Sequence, residues 1–341
     1  LMPEPHAPLH RLDHLPSDFL DTSATDLHRL LDGPTLISLP GRRPDPLFVS
    51  ILLHGNEDVG LLAVQQVLRR YAGGPLPRAM LVFVGNVSAA ARGLRHLDSQ
   101  PDFNRIWPGT PHAHLPEAAL ARALTEECRT RNLFASVDLH NNTGLNPHYA
   151  CVSRLDARTL QLASLFGRTV VYFLSPPGTQ TIAFSAFVPA ITCECGKTGD
   201  ASGAVRAAEL IEACLHLESL PDHAVAEGDV HLFRTVATVR PAPTTSLSFD
   251  GSPADLRFVP DLDHFNFREL SAGTLLADTA SRTHLIATDD GGRDVSAEFF
   301  AHADRRLRLA RTCMPAMITG DQRVIRQDCL CYLMERMALP A

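Results

Sequence analysis

Residues 46–53 form an apolar run that stops at His54-Gly55-Asn56-Glu57 and passes at once into Asp58-Val59-Gly60-Leu61-Leu62-Ala63-Val64. The run has the composition of a buried strand, and apolar residues recur at helical spacing in the segment that follows. The same alternation continues down the chain. Residues 79–85, 133–139, 148–153, 169–174 and 189–196 read as further strands, with helices over 117–130, 156–166 and 203–217. Such alternation predicts an α/β fold: a mixed, mostly parallel sheet with helices on both faces. In sheets of this kind ligands bind at the carboxyl ends of the strands, and His54 and Glu57 stand at such an end.

The texture changes near residue 222. Short β-like runs at 230–239, 256–259, 264–270, 274–277, 284–287 and 324–333 are punctuated by Pro241, Pro243, Gly251-Ser252-Pro253, Gly273 and Gly291-Gly292. The expected organisation is therefore an N-terminal lead-in (1–45, with a helical candidate near 23–31), a main α/β domain (46–222) and a smaller β-rich C-terminal domain (223–341).

A net charge of -7 argues against a nucleic-acid partner. No apolar stretch approaches the roughly 18 residues of a membrane span, and the first residues lack the basic and apolar regions of a signal peptide. The expectation is a cytoplasmic protein without membrane or nucleic-acid partners, its oligomeric state open, a homo-oligomer included. None of the eight cysteines forms a CxxC pair, so a zinc ribbon is not expected and the thiols read as small buried apolar groups.

Two strands end in histidine. His54 is followed three residues later by Glu57, and His140 closes Ser136-Val137-Asp138-Leu139-His140 before an Asn/Gly-rich loop. An HxxE pair alone also fits a glutamate at a helix start beside a hydrogen-bonded histidine. With His140, the three make the two-histidine, one-carboxylate donor set of a catalytic zinc site, with a coordination position left for water. Asp138 is suited to orient a ligand or to serve only the sheet's own hydrogen bonding. Glu194 interrupts an apolar strand, where an unpartnered carboxylate is costly; either it pairs with a base or it faces a cleft, where it can move a proton. Arg95, Asn104 and Arg105 are planar donors suited to a carboxylate or a polarised carbonyl, although arginines are also ordinary surface residues.

The ordered set resembles a known family. HGNE, then R-H-x-D with D-F-N-R-I-W-P-G, then D-L-H-N-N-T-G, then E-C-G is similar to the succinylglutamate desuccinylase/aspartoacylase family of zinc carboxypeptidase-like hydrolases, over roughly residues 45–220. Residues 263–277 look like that family's C-terminal β-domain. The resemblance implies one zinc ion held by His54, Glu57 and His140, with Glu194 as general base and then acid. It implies that Arg95 polarises the scissile carbonyl, with Arg92 as the alternative, and that Asn104 and Arg105 hold the substrate's α-carboxylate. Two departures stand out: His96 replaces the family's usual tyrosine, and residues 181–187 lack the carboxylate-binding arginine of the N-acetylaspartate enzymes. The expected activity is hydrolysis of the amide bond of a small, carboxylate-bearing N-acyl amino acid. The rivals are a carboxypeptidase acting on short peptides and a non-catalytic binding protein that keeps the fold.

Overall fold

β-branched and aromatic residues concentrate where the computed structural model, which describes residues 8–279 and 285–340, places its longest strands. The chain divides into two units, one of residues 1–141, 148–231 and 339–341, the other of 142–147 and 232–338.

The first unit contains strands β1 (His10–Leu12), β2 (Thr35–Leu39), β3 (Gly41–Ile51), β4 (Leu76–Val84), β5 (Ala135–Asn142), β6 (Tyr149–Val152), β7 (Thr169–Tyr172) and β8 (Ala190–Lys197). They lie in the order β1-β2-β4-β3-β5-β8-β6-β7. The β1–β2, β3–β4, β3–β5 and β6–β7 pairs are parallel, whereas β2–β4 and β6–β8 are antiparallel. The mostly parallel α/β sheet read from the alternation is thus observed. β3 starts before the apolar run, at Gly41. Its register against β4 shifts between Arg43 and Leu47, which accommodates Pro44 and Pro46, residues that cannot donate to a regular ladder. Residues 8–45 contribute β1, β2 and the first half of β3, and the helical candidate near 23–31 is a 3-10 helix over Ala24–Arg29.

The helices are α1 (Val59–Arg70), α2 (Val87–Ala90), α3 (Pro116–Arg129), α4 (Ala157–Phe166), α5 (Gln180–Ser185) and α6 (Ala201–His216). Alternation along β3 decides which residue meets which layer. Ile51 faces α1, where Gly60 lies so close that a Cβ would sit 2.7 Å from the Ile51 side chain. Phe48 faces the opposite layer and packs on Phe184 of α5, ring centroids 4.6 Å apart. There Trp107, fully buried, stands edge-on to both Phe83 (5.8 Å) and Phe184 (5.7 Å). Aromatic pairs of this geometry contribute about 0.5–1.5 kcal/mol beyond area burial. Their consequence is positional: Trp107 donates from Nε1 to the Phe103 carbonyl and from its backbone to the Gly178 carbonyl, which pins loop 102–107 over the sheet.

The second unit is β-rich. It contains β9 (His231–Pro241), β10 (Leu247–Ser248), β11 (Leu256–Phe258), β12 (Leu275–Thr279), β13 (Leu285–Thr288), β14 (Phe300–Ala303), β15 (Arg306–Leu309), β16 (Met314–Ala316) and β17 (Cys331–Arg336). β9 pairs antiparallel with β13 and β17, and β17 with β16; β10-β11-β12-β15-β14 form a second sheet. The run expected at 264–270 is no strand: Leu262–Phe265 is a 3-10 helix, and only Leu270 makes a bridge, to Cys313. The run at 324–333 is split, because Asp321 accepts from Arg323 and Val324 and starts α8 (Gln322–Gln327) before β17 begins. His284, at the start of one expected run, lies outside the described residues. Four further residues, Ser296–Phe299, make the short helix α7 ahead of β14.

Candidate metal centre

β3 leaves the sheet through Leu52, which adopts φ 55°. A left-handed conformation costs an L-residue about 1–2 kcal/mol, and such strain is typical of functional turns. The turn carries His54 and Glu57. Gly55 has no alternative here, since a Cβ would fall 2.2 Å from the Ala90 backbone nitrogen, and its own N–H donates to the Arg95 carbonyl. β5, parallel to β3, ends beside this turn and delivers His140.

The side chains converge. Nδ1 of His54 lies 2.9 Å from Oε1 of Glu57, and Nδ1 of His140 lies 2.7 Å from Oε2 of the same carboxylate. All three residues are buried, and their donor atoms fall within 4.8 Å of one another, the one such cluster among the described residues. The outward-facing ring nitrogens are also held. His54 Nε2 meets Oδ1 of Asp102 at 3.0 Å, and His140 Nε2 meets Oδ2 of Asp138 at 2.7 Å, with Ser50 donating to Asp138 Oδ1 at 2.6 Å. A carboxylate on each Nε2 fixes ring orientation and turns each Nδ1 inward, the arrangement that metal-ligating histidines use.

The charges are strongly coupled. Burial works against ionised Glu57, but the two imidazoles hold its carboxyl far below the usual range. Burial likewise opposes ionised Asp102, and His54, Arg95 and Arg105 outweigh it, keeping it well below. Burial disfavours the His140 cation, yet Asp138 and Glu57 raise it well above the ordinary histidine value; burial and Arg95 oppose the same rise at His54, where Glu57 and Asp102 prevail. Each imidazole therefore faces carboxylate oxygens through both nitrogens. One divalent cation in place of the two Nδ1 protons leaves the net charge unchanged. The donor set of two nitrogens and a carboxylate suits zinc.

The arginines separate. Arg95 donates from Nε (3.2 Å) and Nη2 (2.9 Å) to Oδ2 of Asp102, and its Nη1 stands 3.6 Å from Oε1 of Glu57. Arg92 is exposed on the turn after α2. Asp102 thus joins a histidine to an arginine, one carboxylate oxygen for each, and Oδ1 also accepts the Asn104 backbone N–H at 2.7 Å. The sequence contained this aspartate within its Asp-Phe-Asn-Arg motif, but no local spacing reveals that it reaches back to residue 54. The Asn104 amide is oriented by the Gln180 backbone N–H, which donates to Oδ1 at 2.9 Å. Nδ2 is thereby turned to His140, 3.4 Å from Nε2. Arg105 lies next to it and donates to the Asn104 carbonyl.

Glu194 sits in β8, the neighbour of β5. Ser136 N–H donates to the Pro189 carbonyl, and the Asn141 side chain to the Gly196 carbonyl. Both contacts ascend together, so the strands run parallel and Glu194 comes close to the level of His140. It is buried, opposite Tyr149 in the antiparallel β6–β8 register. The eight cysteines are all free thiols; seven are buried and Cys151 is half-buried.

The chain is similar to known proteins. The pattern of the succinylglutamate desuccinylase/aspartoacylase catalytic domain matches residues 47–217. Succinylglutamate desuccinylase of Pseudomonas aeruginosa (strain LESB58) is 26% identical over 303 residues, covering 80% of this chain and 86% of that protein. The crystal structure of succinylglutamate desuccinylase from Chromobacterium violaceum superposes with a TM-score of 0.59 at 20% identity, covering 88% of this chain and 87% of that one. Murine aminoacylase 3 superposes with a TM-score of 0.55 at 16% identity, covering 87% and 96%. These two likenesses speak to the fold, and the domain match spans half of the chain: the protein belongs to the succinylglutamate desuccinylase/aspartoacylase family.

Proposed function

We propose that this chain is a zinc-dependent hydrolase that cleaves the amide bond of a small N-acyl amino acid. The observation that carries the reading is the convergence of two Nδ1 atoms on the two oxygens of Glu57, each imidazole backed by its own carboxylate. His54, Glu57 and His140 would hold one zinc ion. When bound, zinc supplies a Lewis acid that polarises a carbonyl and acidifies water.

The other residues divide the work. Glu194 takes the proton from the attacking water and returns it to the departing nitrogen. Arg95, with Nε and Nη2 anchored on Asp102, directs Nη1 at the charge that develops on the carbonyl oxygen. Arg105 and the Asn104 amide hold the α-carboxylate of the amino acid, which positions the scissile bond. The name succinylglutamate desuccinylase, borne by a relative that covers most of this chain, supports a substrate among the N-acylated amino acids.

The test is Glu194→Gln. The variant is expected to bind zinc at the wild-type stoichiometry while turnover of N-acyl amino acids falls by about 10²–10⁴-fold, the usual contribution of a general acid–base. Near-normal turnover refutes the role of Glu194. A wild-type protein that releases amino acids from dipeptides but not from N-acyl amino acids replaces the deacylase reading with a carboxypeptidase.

A further inference from the structure

β5 sends alternate side chains to opposite faces of the sheet, and its contacts identify the faces. On one, Ser136 accepts from Nε2 of Gln180 in α5 at 2.8 Å, Asp138 pairs with His140, and the Asn104 amide lies 3.4 Å from His140 Nε2. On the other, Leu139 packs beside Gly60 of α1 and Asn141 accepts from Val59. Asn142 is the last residue of the strand and the next one on the face of His140. It stands one step closer to the carboxyl edge, where open α/β sheets place their ligands.

The side chain of Asn142 is buried, with the residue only 4% exposed. Its amide is oriented by a chain of contacts that admits one assignment. The Met317 N–H donates at 2.9 Å to the Asn146 side chain, so the atom it meets is the oxygen. The Asn146 nitrogen is then the arm turned to Asn142, and it donates to Oδ1 there at 3.3 Å. Asn142 keeps Nδ2 on its other arm, and among the described residues nothing accepts from that buried atom. The relay has a fixed origin. Asn266 holds Ile318 through both its N–H (2.8 Å) and its carbonyl (3.0 Å), and a Cβ on Gly144 would fall 1.9 Å from the same carbonyl oxygen. Residues 142–147, 266 and 317–318 all belong to the second unit. A buried donor without an acceptor is costly, and one locked in a single direction calls for a partner that the described protein does not supply.

On this basis, and resting on the hydrolase reading above, we propose that Asn142 is a further substrate-binding residue, whose Nδ2 donates to an acceptor oxygen of the bound N-acyl amino acid, with Asn146 as the residue that positions it. The donor is uncharged, so it adds direction rather than charge to a site that already holds Arg95 and Arg105.

The test measures kcat, KM and zinc content of the zinc-loaded wild type, Asn142→Ala, Asn142→Asp and Asn146→Asp. The substrate is whichever of N-acetylglycine, N-acetylglutamate and N-succinylglycine the wild type cleaves fastest. Asn142→Ala is expected to lower kcat/KM about three- to tenfold, the loss of one neutral hydrogen bond. Asn142→Asp, which sets an acceptor where the donor was, lowers it further. Asn146→Asp still accepts from Met317 but no longer donates to Asn142, and loses part of the activity. Zinc content stays at the wild-type level in all three. A loss in kcat assigns the contact to the scissile carbonyl, whose charge grows in the transition state, and a loss in KM to an oxygen outside the reacting bond. Unchanged kcat/KM in Asn142→Ala and Asn142→Asp, or a loss that only tracks zinc content, overturns the assignment. A wild type that cleaves none of the three refutes the hydrolase reading instead, and a second readout then judges Asn142. Its side-chain NH₂ resonance is followed in zinc-loaded protein labelled with ¹⁵N-asparagine and is identified by its absence from Asn142→Ala. A shift on addition of N-acetylglycine supports the contact; an unmoved resonance overturns it.

Discussion

Replacing Asp102 tests the frame of the site without touching a proposed ligand. Its Oδ1 lies 3.0 Å from His54 Nε2 and 2.7 Å from the Asn104 N–H, and its Oδ2 holds Arg95 at 2.9 and 3.2 Å. Asp102→Ala removes both supports at once. Loss of the carboxylate behind a metal-ligating histidine typically costs 10–100-fold in metal affinity, or about 1.4–2.7 kcal/mol. Arg95, with its side chain only 10% exposed, then keeps a buried charge without its main partner. For a well-buried pair such a break costs about 3–5 kcal/mol, and the remaining exposure places Arg95 at the lower end. Asp102→Asn retains one acceptor, so it is expected to keep His54 in place and to lose mainly the Arg95 charge pair. The assay is zinc content under competition with a chelator, together with kcat, KM and Tm on the same preparations. The expected order is wild type, then Asn, then Ala, for zinc affinity and for Tm. An Ala variant with wild-type zinc affinity and kcat refutes the reasoning, because neither histidine orientation nor arginine placement would then depend on this carboxylate.

Two further outcomes follow from close contacts and burial. Gly55→Ala forces a Cβ to within 2.2 Å of the Ala90 backbone nitrogen, so the turn carrying His54 and Glu57 must shift; zinc stoichiometry is expected to drop and Tm to fall by several degrees, checked by metal analysis and calorimetry. Burial, with Glu127 nearby, pushes the Cys128 thiol up to about 12, and burial raises Cys193 and Cys195 well above the ordinary thiol value. Iodoacetamide at pH 8 is therefore expected to label these three thiols only after denaturation, read by mass spectrometry; rapid labelling of the native protein would contradict their burial.

The sheet was legible because its central strands are continuous apolar runs bounded by Gly, Pro and Asn. Its edges were not: Thr35–Leu39 is short and lies between prolines, and His10–Leu12 has three residues and no pattern. In the second unit, composition misled where turn chemistry intervened. Residues 264–270 contain Phe and Leu enough for a strand, yet a 3-10 turn takes the first part, and residues 324–333 begin as helix because Asp321 caps it. At the site, the candidate ligands were legible because His54 and Glu57 directly follow β3 and His140 lies near the end of β5, and a parallel sheet brings those ends to one edge. The partner of His54 was not, since Asp102 lies in a loop whose path depends on Trp107 packing against Phe83 and Phe184. No periodicity records such a fold-back.

Asn141 has a consequence beyond its place in β5. Its Oδ1 receives the Val59 N–H at the head of α1, and its Nδ2 holds the Gly196 carbonyl ahead of Lys197. One planar amide therefore ties the helix that follows the His54–Glu57 turn to the strand that carries Glu194. Replacing that side chain therefore frees two backbone groups at once, one at the head of α1 and one near the end of β8.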